Sequence, residues 1–131
     1  MARRRAESSR PTEAELDILT VLWRLGPSTV RQTHDELGEA KDWQYSTTLK
    51  VMQVMAVKGL LNRDERDRSH VYSPAVEREE TQRLMVVRLM DRVFDGSVRR
   101  LMLGALDAKR ASRKELAELR ELIEKRERKK R

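Results

Sequence analysis

The groups best suited to chemistry in this sequence lie on one predicted helix. In Ser46-Thr47-Thr48-Leu49-Lys50-Val51-Met52-Gln53, helical periodicity places Ser46, Thr47, Lys50 and Gln53 on one side. Thr48, Met52, Met55 and Gly59 fall together on the other. The first set holds two short hydroxyls, one cation and one amide, which can hydrogen-bond base edges or phosphates without bulk. A solvated helix face with ordinary N-terminal hydroxyls has the same composition, so the pattern alone leaves both readings open. A second cluster follows at Arg66, Asp67, Arg68 and His70. Arginines on a protruding turn reach phosphates or the minor groove. Here, however, Asp64, Glu65 and Asp67 offset Arg63, Arg66 and Arg68, and a self-compensating turn is the competing reading.

Groups for catalysis are missing from the pattern. His34 and His70 stand 36 positions apart on different predicted elements, and neither belongs to a short-spaced metal motif such as H-E-x-x-H. There is no Gly-rich phosphate loop and no G-x-S-x-G elbow. Cysteine is absent, which removes disulfides, thiolate nucleophiles and cysteine-ligated metals. The expectation is a chain that is not an enzyme, uses no cofactor or metal, and suits a reducing cytoplasm. No uncharged stretch approaches the roughly 20 apolar residues of a membrane-spanning helix. Arginine-rich Met1–Arg10 leads into no apolar core, so it does not read as a secretory signal.

Several elements must position these groups. Thr12 and Glu15 have the spacing of a capping box ahead of Leu16, Leu19, Leu22 and Trp23, one apolar helical face that Gly26-Pro27 stops. Ser28 is expected to cap a second, shorter helix toward Leu37-Gly38, and a polar, aromatic connector, Lys41–Tyr45, leads to the third, from about Ser46 to Lys58. Leu60–Asp64 and Ser69–Ser73 flank a charged tip and read as a β-hairpin, which Pro74 ends. Helical patterning then resumes, with Val86, Met90, Val93 and Phe94 on one stripe before a break at Asp95-Gly96. Ser97 caps a helix through Leu106, and Ser112 caps the last, where Leu116, Leu119 and Ile123 align.

Three helices followed by a hairpin is the order of a winged helix-turn-helix. The fold class expected is mainly α with a small β-hairpin: a winged helix-turn-helix domain at 11–74 followed by a helical dimerisation domain at 75–131. Residues 1–10 are expected to form a basic, flexible arm. The later helices are too few and too small to enclose their own stripes, so a second copy of the chain is the expected cover, making a homodimer through Val86, Met90, Val93, Phe94, Leu116, Leu119 and Ile123.

The 131-residue chain carries a formal net charge of +7, and its distribution says more than its sum. Residues 1–10 hold four Arg against one Glu, and residues 109–131 hold eleven Lys and Arg against five Glu, leaving the middle slightly acidic. Basic tails fit nucleic-acid contact and plain solubility equally well.

Residues 10 to about 127 resemble the penicillinase-repressor family of bacterial transcriptional regulators. The resemblance rests on Leu16-Asp17-Ile18-Leu19 and Leu22-Trp23, on Trp43–Leu49 running into Lys58-Gly59-Leu60-Leu61, and on Arg63 through His70–Pro74. Phe94-Asp95-Gly96-Ser97 with Leu116, Leu119 and Ile123 completes it. It implies a dimeric winged-helix repressor on a palindromic double-stranded DNA operator, with β-lactam-response genes as the regulated set. Position by position, Tyr45, Ser46, Thr47 and Lys50 match the recognition-helix sites that meet DNA, and Arg66, Arg68 and His70 match the wing. Val54 departs from the basic residue of many relatives, so one base or phosphate contact is either lost or replaced by an apolar contact, such as one to a thymine methyl. In β-lactam-responsive members a sensor-linked protease cuts an Asn-Phe bond in the dimerisation region. The matching place here is Gly104-Ala105, so the known cleavage pair is absent. The competing class is a winged-helix protein-interaction module that binds no DNA. An RNA-binding reading rests on the basic tails alone, and the chain has only five Phe, Tyr and Trp for base stacking.

Overall fold

The computed structural model describes residues 11–130, so the expected basic arm at 1–10 lies outside the described residues. Helix α1 (Glu13–Leu25) starts where the capping box requires. The Glu15 N–H donates to Thr12 Oγ1 at 3.2 Å, and the Thr12 N–H donates to Glu15 Oε1 at 2.9 Å. Strand β1 (Ser28–Thr29), helix α2 (Val30–Lys41), helix α3 (Tyr45–Lys58), strand β2 (Leu61–Asp64) and strand β3 (Val71–Pro74) follow. Gly59 closes α3 in the left-handed conformation, φ 85°, a region a side chain strains to enter, and its N–H donates to Ala56 and Met55 carbonyls.

Two expectations are corrected here. Ser28 does not cap α2: it pairs with Tyr72 in the sheet, and Thr29 is the cap. Thr29 Oγ1 accepts from the Gln32 N–H at 3.1 Å while Gln32 Oε1 accepts from the Thr29 N–H at 2.9 Å, a reciprocal arrangement like that of α1. Helix α2 also continues through Gly38 to Lys41 instead of ending there.

The hairpin appears as expected and gains a third strand, giving the antiparallel order β1-β3-β2. Arg63 pairs with Tyr72 and Asp64 with Val71. Tyr72, on the central strand, is fully buried in a core shared with Ile18, Leu19, Leu22, Met52 and Met55. The Trp23 Nε1–H donates to the Val76 carbonyl at 3.1 Å, fastening the segment after the wing to α1.

Helix α4 (Arg78–Val93), helix α5 (Val98–Ala108) and helix α6 (Arg113–Lys129) complete the chain, which divides into two compact units at Arg83–Leu84. Asp95 and Gly96 both take positive φ between α4 and α5. Ser97 and Ser112 cap α5 and α6 as expected, accepting from the Arg100 and Glu115 N–H groups. In the second unit no residue from 84 to 130 is buried. No helix among the described residues is long and apolar enough to cross a membrane.

Candidate nucleic-acid interface

The inward and outward faces of α3 separate as helical spacing dictates. Thr48, Met52 and Met55 are completely buried, while Ser46, Thr47, Lys50 and Gln53 are exposed. The helix is set against α2 by a polar contact inside the motif. Fully buried Thr48 shares a hydrogen bond with His34 Nδ1 at 2.8 Å, satisfying a hydroxyl that would otherwise be costly to bury. Its other end is tied to α1: Lys58 Nζ donates to Glu15 Oε1 at 2.7 Å, and Glu15 is only 4% exposed. One carboxylate oxygen thus serves the α1 cap and anchors the last residue of α3.

At its start α3 is open. Gln44 occupies the N-cap position without a side-chain cap; its carbonyl accepts from the Thr47 and Thr48 N–H groups, and no side chain caps the two donors before them. A helix N-terminus left open in this way carries partial positive charge suited to an anion. Tyr45, the first helical residue, holds its ring edge-on to His34 with centroids 5.7 Å apart. The Arg31 guanidinium lies over the same ring, 4.2 Å from its centroid.

Across from α3 the wing separates its cations into two kinds. Arg66 is bound to Asp64: its Nε and Nη2 donate to the carboxylate at 3.0 and 2.6 Å, and its backbone N–H donates to Oδ1 at 3.0 Å. These bonds, side chain first, pull the Asp64 carboxyl down from its ordinary 3.8 to about 2. Arg63 is likewise paired with Glu65. Arg68 and His70 are exposed, and among the described residues no carboxylate lies within ion-pair distance of Arg68 or of Arg31.

Four of the eight expected DNA-contacting residues therefore meet around one groove. Tyr45, Gln53, Arg68 and His70 line a space of about 310 Å³ together with Arg31 and Tyr72. Ser46, Thr47 and Lys50 occupy the exposed face of α3 without lining it, and Arg66 stays with Asp64 on the outside of the turn. Arg31 escaped the sequence reading. Its partner Tyr45 is fourteen positions away, and only the docking of α2 on α3 brings them together.

The expected dimerisation residues are exposed or half-buried. Val86, Val93, Leu116 and Ile123 are exposed, and Met90, Phe94 and Leu119 are half-buried. Helices α5 and α6 flank an apolar groove of about 940 Å³ lined by Met102, Leu103, Leu106, Leu119, Leu122 and Ile123, to which α5 contributes residues that the stripe reading had omitted. Gly104 and Ala105 lie inside α5. A β-carbon at Gly104 would come within 3.3 Å of Phe94 Cε1, so the aromatic ring rests against the helix at that point.

Residues 11–125 match the penicillinase repressor family. The transcriptional regulator BlaI of Mycobacterium tuberculosis is 34% identical over 122 residues, covering 87% of this chain and 88% of that protein. The penicillinase repressor of Bacillus licheniformis is 23% identical, covering 86% and 88%. The methicillin resistance regulatory protein MecI of Staphylococcus aureus is 21% identical, covering 87% and 93%. A match of this extent runs through both units, and members of the family are transcriptional regulators rather than enzymes. The chain belongs to the penicillinase repressor family.

Proposed function

We propose that this chain is a cytoplasmic repressor that binds a palindromic double-stranded DNA operator as a homodimer and controls β-lactam-response genes. The observation that carries the reading is the pairing of an exposed α3 face, Ser46, Thr47, Lys50 and Gln53, with a wing that brings Arg68 and His70 to the same groove as Tyr45. In helix-turn-helix docking, the N-terminal part of the recognition helix meets base edges in the major groove. Lys50 supplies charge and Gln53 an amide suited to adenine, while Ser46 and Thr47 reach bases or phosphates. Arg66 contributes less than Arg68, because Asp64 already offsets its charge.

The homodimer reading is supported by the many large apolar side chains left exposed from Leu84 to Ile123, more than an isolated soluble domain sustains. Two recognition helices related by a two-fold axis reach half-sites on the order of 10 bp apart. Release by a sensor-linked protease at Gly104-Ala105 requires local opening of α5, since that bond is helical and Phe94 rests on Gly104.

The test is binding of the purified chain to fragments of its own upstream region against scrambled DNA across a salt series. The expected result is tight, selective binding with a protected inverted repeat, lost in the Thr47→Ala plus Lys50→Ala variant while the dimer persists. Weak binding that ignores sequence and vanishes at physiological salt refutes the reading in favour of a protein-interaction module.

A further inference from the structure

We infer that the groove between α2, α3 and the wing is a seat for one phosphodiester of the bound strand, held between Arg31 and Arg68; the inference rests on the DNA-binding reading above. The groove is small, about 310 Å³, at the low end of the range for ligand pockets. Its lining includes Arg31, Arg68, His70 and Ser69, and among the described residues it contains no Asp or Glu. The two arginines give that lining a net positive charge suited to an anion. The wing's other arginines, Arg63 and Arg66, are excluded by their own pairing with Glu65 and Asp64.

The position of Arg31 selects phosphate over a base edge. It lies in the first turn of α2, and in this motif the helix preceding the recognition helix crosses the sugar-phosphate backbone while the recognition helix enters the groove. The Arg31 guanidinium carbon is held 4.2 Å from the Tyr45 ring centroid, and among the described residues no carboxylate pairs with it. A planar fork of donors fixed in this way matches two oxygens of one phosphate. Arg68 approaches from the wing, the other element that tracks the backbone. The two elements close on one groove, so a single phosphate in each half-site receives both.

The test uses the full chain and the operator duplex recovered by protection from its own upstream region, with neutral methylphosphonates introduced one at a time along each half-site. Arg31→Gln is expected to weaken operator binding at least about a hundredfold, about tenfold for the one charged hydrogen bond lost in each half-site. It should also lower the salt slope by about two, one phosphate for each half-site, with its thermal unfolding unchanged. At one phosphate in each half-site, the methylphosphonate should weaken binding of the original chain, weaken that of Arg31→Gln less, and leave that of the Arg31→Gln plus Arg68→Gln variant unaltered. An unchanged salt slope in Arg31→Gln would mean that Arg31 only positions Tyr45, and the phosphate seat would be wrong. Losses that multiply at every phosphate tested overturn it equally. If the original chain fails to prefer the operator to scrambled DNA, the DNA reading itself falls and the seat with it. The two failures are therefore distinguishable.

Discussion

Glu15 carries three polar contacts across two helices, and removing it gives the most direct test of how the recognition helix is held. In Glu15→Ala the Thr12 N–H loses its acceptor, a capping loss of about 1 kcal/mol. Lys58 loses its partner at the end of α3. Breaking a fully buried pair costs about 3–5 kcal/mol, but the Lys58 side chain is 25% exposed, and its flexible stem lets the ammonium reach water. That lowers this part to about 1–2 kcal/mol, for a total of about 2–3 kcal/mol or roughly 10–20 °C in Tm for a unit of this size. Lys58→Met should cost at least as much, because the carboxylate left behind is the more deeply buried partner. The double variant should cost less than the sum of the two by about 1–2 kcal/mol. The assay is urea and thermal unfolding at fixed protein concentration, since association shifts apparent stability. A loss below about 0.5 kcal/mol for Glu15→Ala, or single-variant effects that simply add, refutes the assignment.

Three further outcomes are expected. Because the folded Asp64 carboxyl titrates near about 2 against an ordinary 3.8, the Asp64–Arg66 contact holds the wing turn above that range and is lost as pH falls through about 2; carbon NMR should place the midpoint there, and Arg66→Ala should return it toward 3.8. If Val54 meets a thymine methyl, replacing that thymine by uracil should weaken binding by about fourfold in the original chain, the worth of one buried methylene, and leave Val54→Ala unaffected; equal losses in both would exclude the contact. Removing residues 97–131 should leave a folded monomer with poor operator affinity, measured by sedimentation and gel shift, and a monomer that still binds the full palindrome tightly would break the link between dimerisation and binding.

Much of this architecture was legible because its signals are local. The Thr12–Glu15 capping box, Gly59, and the Ser97 and Ser112 caps each specify an element boundary within four residues. The separation of α3 into Thr48, Met52 and Met55 against Ser46, Lys50 and Gln53 follows from helical period alone. Strand β1 was not legible: two residues carry no alternation, and Ser28 joins a sheet only because Tyr72 comes alongside. Arg31 was missed for the same reason, its role being set by a ring on another helix. Within the wing, the sequence showed arginines and carboxylates interleaved, but not which were paired. Asp64 takes Arg66, Glu65 takes Arg63, and Arg68 is left to face the groove.

The two units differ in what holds them together, and that difference bears on regulation. Among the described residues all eleven buried hydrophobic side chains lie between Ile18 and Tyr72, so the reading head carries its own core and can keep the α3 face and the wing in register unaided. Among the described residues none from 84 to 130 is buried, and none of them covers the apolar groove between α5 and α6. Under the homodimer reading, the stability of that unit is therefore largely the stability of association. On that reading a single head would bind one half-site with the affinity of a few phosphate and base contacts, whereas a second head joined through α4 to α6 would meet the other half-site at high effective concentration. A signal that loosens α5 or α6 need not touch α3 or the wing to empty the operator.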